Sequence, residues 1–251
     1  MSYSLFQIIC WSWATAGVLA FLILQFKNAP YGRFTDKSLG ATMDNRLGWV
    51  IMEGVALLCF LYFVLAYKTS YSLAEWVMIS LFSFHYLNRS FIYPFRTKTK
   101  DKQIPVAIVF LGVFHNIVNG FLLGYYFSHF GSYANSWMGS SPFILGLVIF
   151  VTGMVVNWHS DNVLIRLRQP GETGYKIPQK GMFQYVSAAN LFGEMIQWSG
   201  YAVLTWSLPG FCFAFFTACN LVPRARAVHR WYQHRFDNYP KNRKAVIPYL
   251  L

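Results

Sequence analysis

Charge is scarce in this sequence, and negative charge scarcest. Nine Asp and Glu residues stand against 21 Lys and Arg, and charged side chains make up 12% of the 251 residues while hydrophobic ones make up 55%. A soluble domain carries roughly twice that charged fraction, so an ordinary water-soluble fold is excluded and the chain reads as a membrane protein. Cysteine is also rare. Cys10, Cys59, Cys212 and Cys219 fall in separate or apolar contexts without metal-ligand spacing, so neither a disulfide framework nor a metal site is expected and they read as packing residues. Two nucleotide signatures are missing, the Gly-x-Gly-x-x-Gly fingerprint and the Gly-rich loop ending in Lys-Ser/Thr, so any nucleotide site must be built between membrane helices. No basic residue precedes the first apolar run and Lys27 follows it, the reverse of a secretory leader, so this run is expected to be a retained helix. Internal repeats, low-complexity tracts and linkers are lacking too, and residues 1–251 read as a single domain.

What is abundant is apolar sequence in runs of helix-spanning length, at roughly 5–26, 47–67, 71–93, 104–126, 142–157, 182–203 and 206–222. The fifth and seventh are short and are expected to continue as helix into the polar segments behind them. Between the runs, the basic residues alternate. Lys27, Arg33, Lys37 and Arg46 fill the first gap, Arg96, Lys98, Lys100 and Lys102 the third, and Arg166, Arg168, Lys176 and Lys180 the fifth. Arg224, Arg226, Arg230, Arg235, Lys241, Arg243 and Lys244 follow the last run, whereas the even gaps hold only Lys68. Because cytoplasmic loops carry the Lys and Arg excess, the expected fold is an all-α membrane protein with seven transmembrane helices. Its amino terminus is expected outside and its carboxyl terminus in the cytoplasm. The same alternation accounts for the net charge of +12 without a nucleic-acid partner.

Polar groups at membrane depth mark where chemistry would sit. Glu53 lies in the second run, His85, Tyr86, Asn88, Arg89 and Tyr93 in the third, and His115, Asn116 and Asn119 in the fourth. Asn157 and Asp161 are four apart and share a helix face, while Ser187, Asn190, Glu194, Gln197 and Tyr201 step by three and four into one polar stripe. Buried polar groups mostly bond one another, so a structural network gluing helices together is one account of them. Several helices placing ionisable groups at membrane depth is also the pattern of a site. The arginines around the 157–194 connector would suit a polyanionic cofactor such as a dinucleotide phosphate.

These residues carry a resemblance. Asn157-Trp158-His159-Ser160-Asp161, Arg168-x-Pro170-Gly171-Glu172, Tyr175-Lys176-Ile177-Pro178 and Asn190-x-x-Gly193-Glu194 resemble the signature of the steroid 5-alpha-reductases. The likeness continues through Thr205-Trp206-Ser207-Leu208-Pro209, His229-Arg230-Trp231-Tyr232 and Tyr239-Pro240-Lys241, and upstream through Tyr31-Gly32-Arg33, Glu53 and His85-Tyr86-x-x-Arg89. It implies a seven-helix membrane enzyme that uses NADPH to reduce the 4,5 double bond of a 3-oxo-4-ene steroid, with hydride delivered to C5. Carried over position by position, it implies cofactor contacts at Asn157, Asp161, Arg168, Tyr175, Asn190, Glu194, Arg224, Tyr232 and Arg89. It matches Glu53 and Tyr86 to the pair that hydrogen-bonds the 3-carbonyl. The chain departs from the family at Val228, where many members carry the first of two consecutive histidines, and in detail in the Lys98–Lys102 loop.

The chemistry holds without the name. Hydride addition to the far carbon of an enone builds negative charge on the carbonyl oxygen, and a phenol and a protonated carboxyl can stabilise it there. The expected substrate is a small steroid entering a monomer from the bilayer. The membrane is a bacterial inner membrane for a bacterial-type homologue, or the endoplasmic reticulum in a eukaryotic host. Two other readings compete: a membrane methyltransferase of the isoprenylcysteine carboxyl type using S-adenosylmethionine, and a non-catalytic seven-helix receptor or transporter.

Overall fold

The computed structural model describes residues 1–98, 102–167, 172 and 174–251, and for Lys37 the main chain alone. The basic residue Lys100 and the expected cofactor ligand Arg168 lie outside the described residues. Helices dominate: α1 (Tyr3–Phe26), α2 (Asn45–Tyr67), α3 (Leu73–Leu87), α4 (Tyr93–Arg96), α5 (Val106–His129), α6 (Ser141–Arg166), α7 (Ala189–Thr205) and α8 (Leu208–Arg235). Among the described residues four of these, α1, α2, α5 and α6, are long and apolar enough to cross a membrane. That is the composition of an integral membrane protein. The short fifth and seventh runs do continue as helix, α6 as far as Arg166 and α8 as far as Arg235.

Two compact units divide the chain, one of residues 1–6 and 29–140, the other of 7–28 and 141–251. In the first, a short antiparallel ribbon sets the frame. β1 (Thr42–Asp44) pairs with β2 (Gln103–Pro105), Met43 opposite Ile104. Each strand runs straight into a helix, so the ribbon holds the starts of α2 and α5 together. Asp44 caps α2 by accepting the Leu47 N–H at 2.9 Å. The two helices then run parallel, with Gly112 of α5 against Met52 and Gly120 against Ala56, Cys59 and Phe60. Asn116 ties them further by donating to the Met52 carbonyl at 2.7 Å.

α3 starts from a capping box in which Ser72 and Glu75 satisfy each other's backbone N–H groups. It passes through a widened turn, Asn88–Ile92, into α4. Here the Tyr93 N–H reaches back five residues to the Asn88 carbonyl. The cause is Pro94, which has no N–H to continue the ordinary ladder. α2 and α3 are antiparallel: the Tyr71 hydroxyl donates to the Val64 carbonyl at one end, and Gly54 lies level with Phe91 at the other.

In the second unit α6 and α7 cross antiparallel at backbone contact. A Cβ on Gly153 would collide with the Gln197 main chain, and one on Gly193 with the Asn157 main chain. Gly146 and Gly200 repeat the arrangement seven residues along each helix. Only glycine permits this approach. Beyond the seam Trp198 is buried against Phe213, ring centroids 4.5 Å apart and edge to face. Residues 7–26 of α1 pack on α8, where Trp13 stacks on Phe216 at 4.7 Å.

The sixth run departs from the sequence reading, which expects helix from about residue 182. Gly181–Gln184 is a single tight turn, and α7 begins only at Ala189. The residues between them pair with the carboxyl-terminal tail: the Ser187 N–H donates to the Lys244 carbonyl at 2.8 Å and the Ala188 N–H to Ala245 at 3.1 Å. Ser187 therefore precedes the helix and drops out of the expected stripe, because its backbone N–H is satisfied by the tail instead.

Candidate functional site

In the first unit the site residues of α2 and α3 converge on one side of an aromatic contact. Phe60 of α2 meets Phe82 of α3 with centroids 4.2 Å apart. Glu53 lies seven residues before Phe60 and Tyr86 four after Phe82, each on the contacting face of its helix. Because the helices are antiparallel, both steps lead in the same direction. Tyr86 is 4% exposed and leans on the Phe82 ring at 4.7 Å; Glu53 is half-buried. Arg89 continues the same face within the widened turn. It is buried, and its guanidinium lies over the Tyr93 ring at 4.7 Å and over Trp49 at 5.4 Å, Trp49 being one turn before Glu53. Asn116 is spent on the α2 backbone, joining α5 to α2, whereas Asn119 bonds His115 at 2.8 Å one turn back within α5.

In the second unit the glycine seam positions the polar residues. Just past Gly153 and Gly193, the Asn157 side chain donates to the Asn190 carbonyl at 2.9 Å, tying α6 to the first turn of α7. Asn157, Ser160 and Asp161 share one face of α6 and are buried, and Gln197 of α7 is fully buried. Among the described residues, Asn157 Oδ1, Ser160 Oγ and both amide atoms of Gln197 have no hydrogen-bond partner. A buried polar group left so costs ~1 to 3 kcal/mol. These are acceptors, a hydroxyl and an amide, not cations. They fit a ligand's ribose hydroxyls or carboxamide, groups a dinucleotide carries, and they do not by themselves fit its phosphates. Glu194, on the same helix, is half-buried.

α8 presents a second face. Arg224, Val228 and Tyr232 succeed one another at intervals of four, with Arg224 bonded to Asn220 at 3.1 Å one turn back. Tyr232 is buried and stacks on Tyr239 of the tail, centroids 5.3 Å apart. Tyr175 reaches this cluster from the connector, edge-on to Trp231 at 4.9 Å. Val228, set between Arg224 and Tyr232, offers only methyl groups where a histidine would offer a ring nitrogen.

Sequence reasoning missed the clamp that fixes this face. Ser187 Oγ lies 2.6 Å from His229 Nδ1, 2.6 Å from the Tyr239 hydroxyl and 3.1 Å from the Lys244 carbonyl. Arg243, 4% exposed, covers the Tyr239 ring and donates to the Pro178 carbonyl at 3.0 Å. The signal was an arginine inside a motif-rich tail, indistinguishable in sequence from its solvated neighbours. Burial, and after it the positive charges of Arg243 and Lys244, hold the His229 pKa below the usual histidine value. The unfolded chain therefore takes up a proton more readily than the folded one. The clamp's contribution is complete above the unfolded pKa of about 6.5 and is lost as pH falls from there through the lower folded pKa. Thermal melts should show lower stability at about pH 5.5 than at 7.5, and His229→Asn should flatten that slope. An equal slope in the variant would place the titration elsewhere.

The family model described as 3-oxo-5-alpha-steroid 4-dehydrogenase matches residues 102–251. The chain is 38% identical over 239 residues to 3-oxo-5-alpha-steroid 4-dehydrogenase 1 of Bos taurus, covering 94% of this chain and 93% of that protein. It is 41% identical over 232 residues to steroid 5-alpha-reductase DET2 of Gossypium hirsutum, covering 90% of each. Against 3-oxo-5-alpha-steroid 4-dehydrogenase 2 of Sus scrofa it is 39% identical over 241 residues, 94% of each.

Proposed function

The chain belongs to the steroid 5-alpha-reductase family, a family of oxidoreductases, and from that premise we propose that it reduces the 4,5 double bond of 3-oxo-4-ene steroids with NADPH. The observation that carries the proposal is the pairing of an acid and a phenol, Glu53 and Tyr86, on adjoining faces of α2 and α3 to the same side of the Phe60–Phe82 contact. Both donate hydrogen bonds to the steroid 3-carbonyl oxygen, Glu53 in its protonated form. Their bonds strengthen as negative charge accumulates on that oxygen, which is where a preorganised donor accelerates reaction. NADPH, when bound, would supply the hydride that reaches C5, and the resulting enolate would take a proton from water at C4.

Asn157, Asp161, Asn190, Glu194, Tyr175 and Tyr232 hold the cofactor, with Arg168 and Arg224 on its phosphates and Arg89 as a further contact. The orphaned atoms of Asn157, Ser160 and Gln197 support this, since a ribose or carboxamide would satisfy them. Asp161→Ala, Asn190→Ala and Arg168→Ala should each weaken NADPH binding by about tenfold or more, the worth of a hydrogen bond to a charged or buried partner. Unchanged affinity in all three, measured by fluorescence titration, would move the cofactor elsewhere. Methyl transfer and a purely receptor-like role are set aside by the family.

The proposal extends to topology: one multi-pass reductase domain of seven spans, monomeric, amino terminus outside and carboxyl terminus cytoplasmic, taking its steroid from the lipid. The alternation of basic loops supports it. Cysteines introduced near Lys176 and near Tyr133 should label from opposite faces of sealed vesicles; labelling from one face would overturn the orientation.

A further inference from the structure

One strongly basic feature of the second unit takes no part in the reaction. Where α1 ends, a cavity of about 330 Å³ opens between Gln25, the α8 residues Arg226, His229 and Arg230, and Lys244, Ala245 and Leu251 of the tail. Among the described residues three permanent cations line it and no Asp or Glu side chain does; the Leu251 carboxylate, held by backbone N–H groups, leaves the lining net positive. Arg226 donates to Gln25 Oε1 at 3.2 Å, which anchors the guanidinium at the cavity wall and leaves it further N–H donors. Among the described residues neither Arg230 nor Lys244 has an acidic partner. The far wall is closed by the tail's own turn, in which Val246 and Ile247 both donate to an oxygen of the Leu251 carboxylate at 2.7 Å.

This cavity is separate from the residues assigned to the cofactor. Successive helical residues turn by about 100°, so Arg226 points about 200° away from Arg224. Arg226 and Arg230 thus form the face of α8 opposite Arg224, Val228 and Tyr232, with His229 at the border between the two. Its depth is informative too. Gln25 is one residue from the end of an apolar span whose neighbouring side chains Ile23 and Phe26 are 60% and 89% exposed, as lipid-facing residues are, and Lys27 follows at once. The cavity therefore lies at the level where hydrocarbon gives way to headgroups.

We propose that the cavity formed by Arg226, Arg230, Lys244 and Gln25 is a binding site for a phosphate-bearing anion, of the kind presented by an acidic phospholipid headgroup. Converging arginines recognise phosphate oxygens through paired N–H donors, and basic pockets beside membrane helices suit acidic headgroups. Because the site touches both α1 and the tail, occupancy should stabilise the second unit.

The test uses full-length protein in nanodiscs, followed by thermal unfolding, so that its outcome does not depend on turnover. Adding phosphatidylglycerol to phosphatidylcholine discs should raise the melting temperature by at least about 4 °C, the scale of a near-saturated ligand. Arg226→Gln and Arg230→Gln should each lose most of that rise. Arg235→Gln removes the same charge from the same helix outside the cavity and should keep it. Arg230 is exposed, so its variant folds even if Arg226→Gln does not. A second arm keeps phosphatidylcholine discs and adds inorganic phosphate at matched ionic strength. A rise there with the same loss in the cavity variants upholds the site and makes its ligand a soluble phosphate. A rise in phosphatidylglycerol alone makes it a lipid. An equal response in cavity variants and Arg235→Gln means diffuse attraction to a basic protein and overturns the proposal, as does no rise in either arm.

Discussion

Glu53→Gln and Tyr86→Phe are each expected to lose about 100- to 1000-fold in turnover, the ~2.7 to 4 kcal/mol that removal of one preorganised oxyanion donor costs. NADPH binding should survive both changes, because neither residue belongs to the groups assigned to the cofactor. Glu53→Gln is the sharper of the two. It preserves size and can still hydrogen-bond, so a glutamate that merely fastened α2 to its neighbours would tolerate it. An acid that must hand its hydrogen bond to a developing oxyanion would not. Tyr86→Phe keeps the ring that leans on Phe82 at 4.7 Å and removes only the hydroxyl, so packing loss cannot explain its effect. Single-turnover rates at saturating steroid and NADPH separate the possibilities. Retention of more than about a third of the wild-type rate in both variants would remove the pair from the mechanism.

The second large effect is on stability. Gly153→Ala and Gly193→Ala should each lower the melting temperature by about 5 to 10 °C, although alanine in a helix is otherwise favoured over glycine by about 1 kcal/mol. Two opposed effects are at work, and geometry decides between them. An added Cβ at either position meets main chain of the facing helix, not a side chain that could rotate away. Overpacking of that kind costs ~1 to 3 kcal/mol or more and exceeds the gain in propensity. Separating α6 from α7 also draws Asn157 off the Asn190 carbonyl, so NADPH affinity should fall with stability. Gly139→Ala is the control, since nothing lies within 4 Å of its added Cβ. Melts in which all three variants match wild type would mean that the seam is not in contact.

The seven apolar runs all contain helix, and the extension of α6 was legible because its polar segment has no breaker, whereas α8 runs on through Pro223 to Arg235. Glu53 stood out because a carboxyl in an apolar run is costly, and Asp161 because it shares a helix face with Asn157. What stayed hidden depends on partners far along the chain. Hydropathy counts residues 182–188 as the start of a span, and only the tail near Lys244 shows that their backbone N–H groups are taken. The three-residue strands β1 and β2 are too short to leave a pattern. The seven-residue spacing of Gly146 and Gly153, repeated by Gly193 and Gly200, lay in plain view, but glycine spacing gains meaning only once two helices are known to cross. Gln197 was visible in a polar stripe and not as an orphan, because burial without a partner is a property of packing.

The central claim is that this chain moves hydride from NADPH to C5 of a 3-oxo-4-ene steroid. Purified protein supplied with NADPH deuterated at the transferable position and with a single such steroid tests it in one incubation, read by mass spectrometry and NMR of the product. The account predicts cofactor oxidation matched to product formation, a saturated 4,5 bond of 5-alpha configuration, and the deuterium at C5 with the 3-carbonyl intact. Deuterium at C3 with the double bond retained, or unchanged steroid in the presence of bound NADPH, would contradict it.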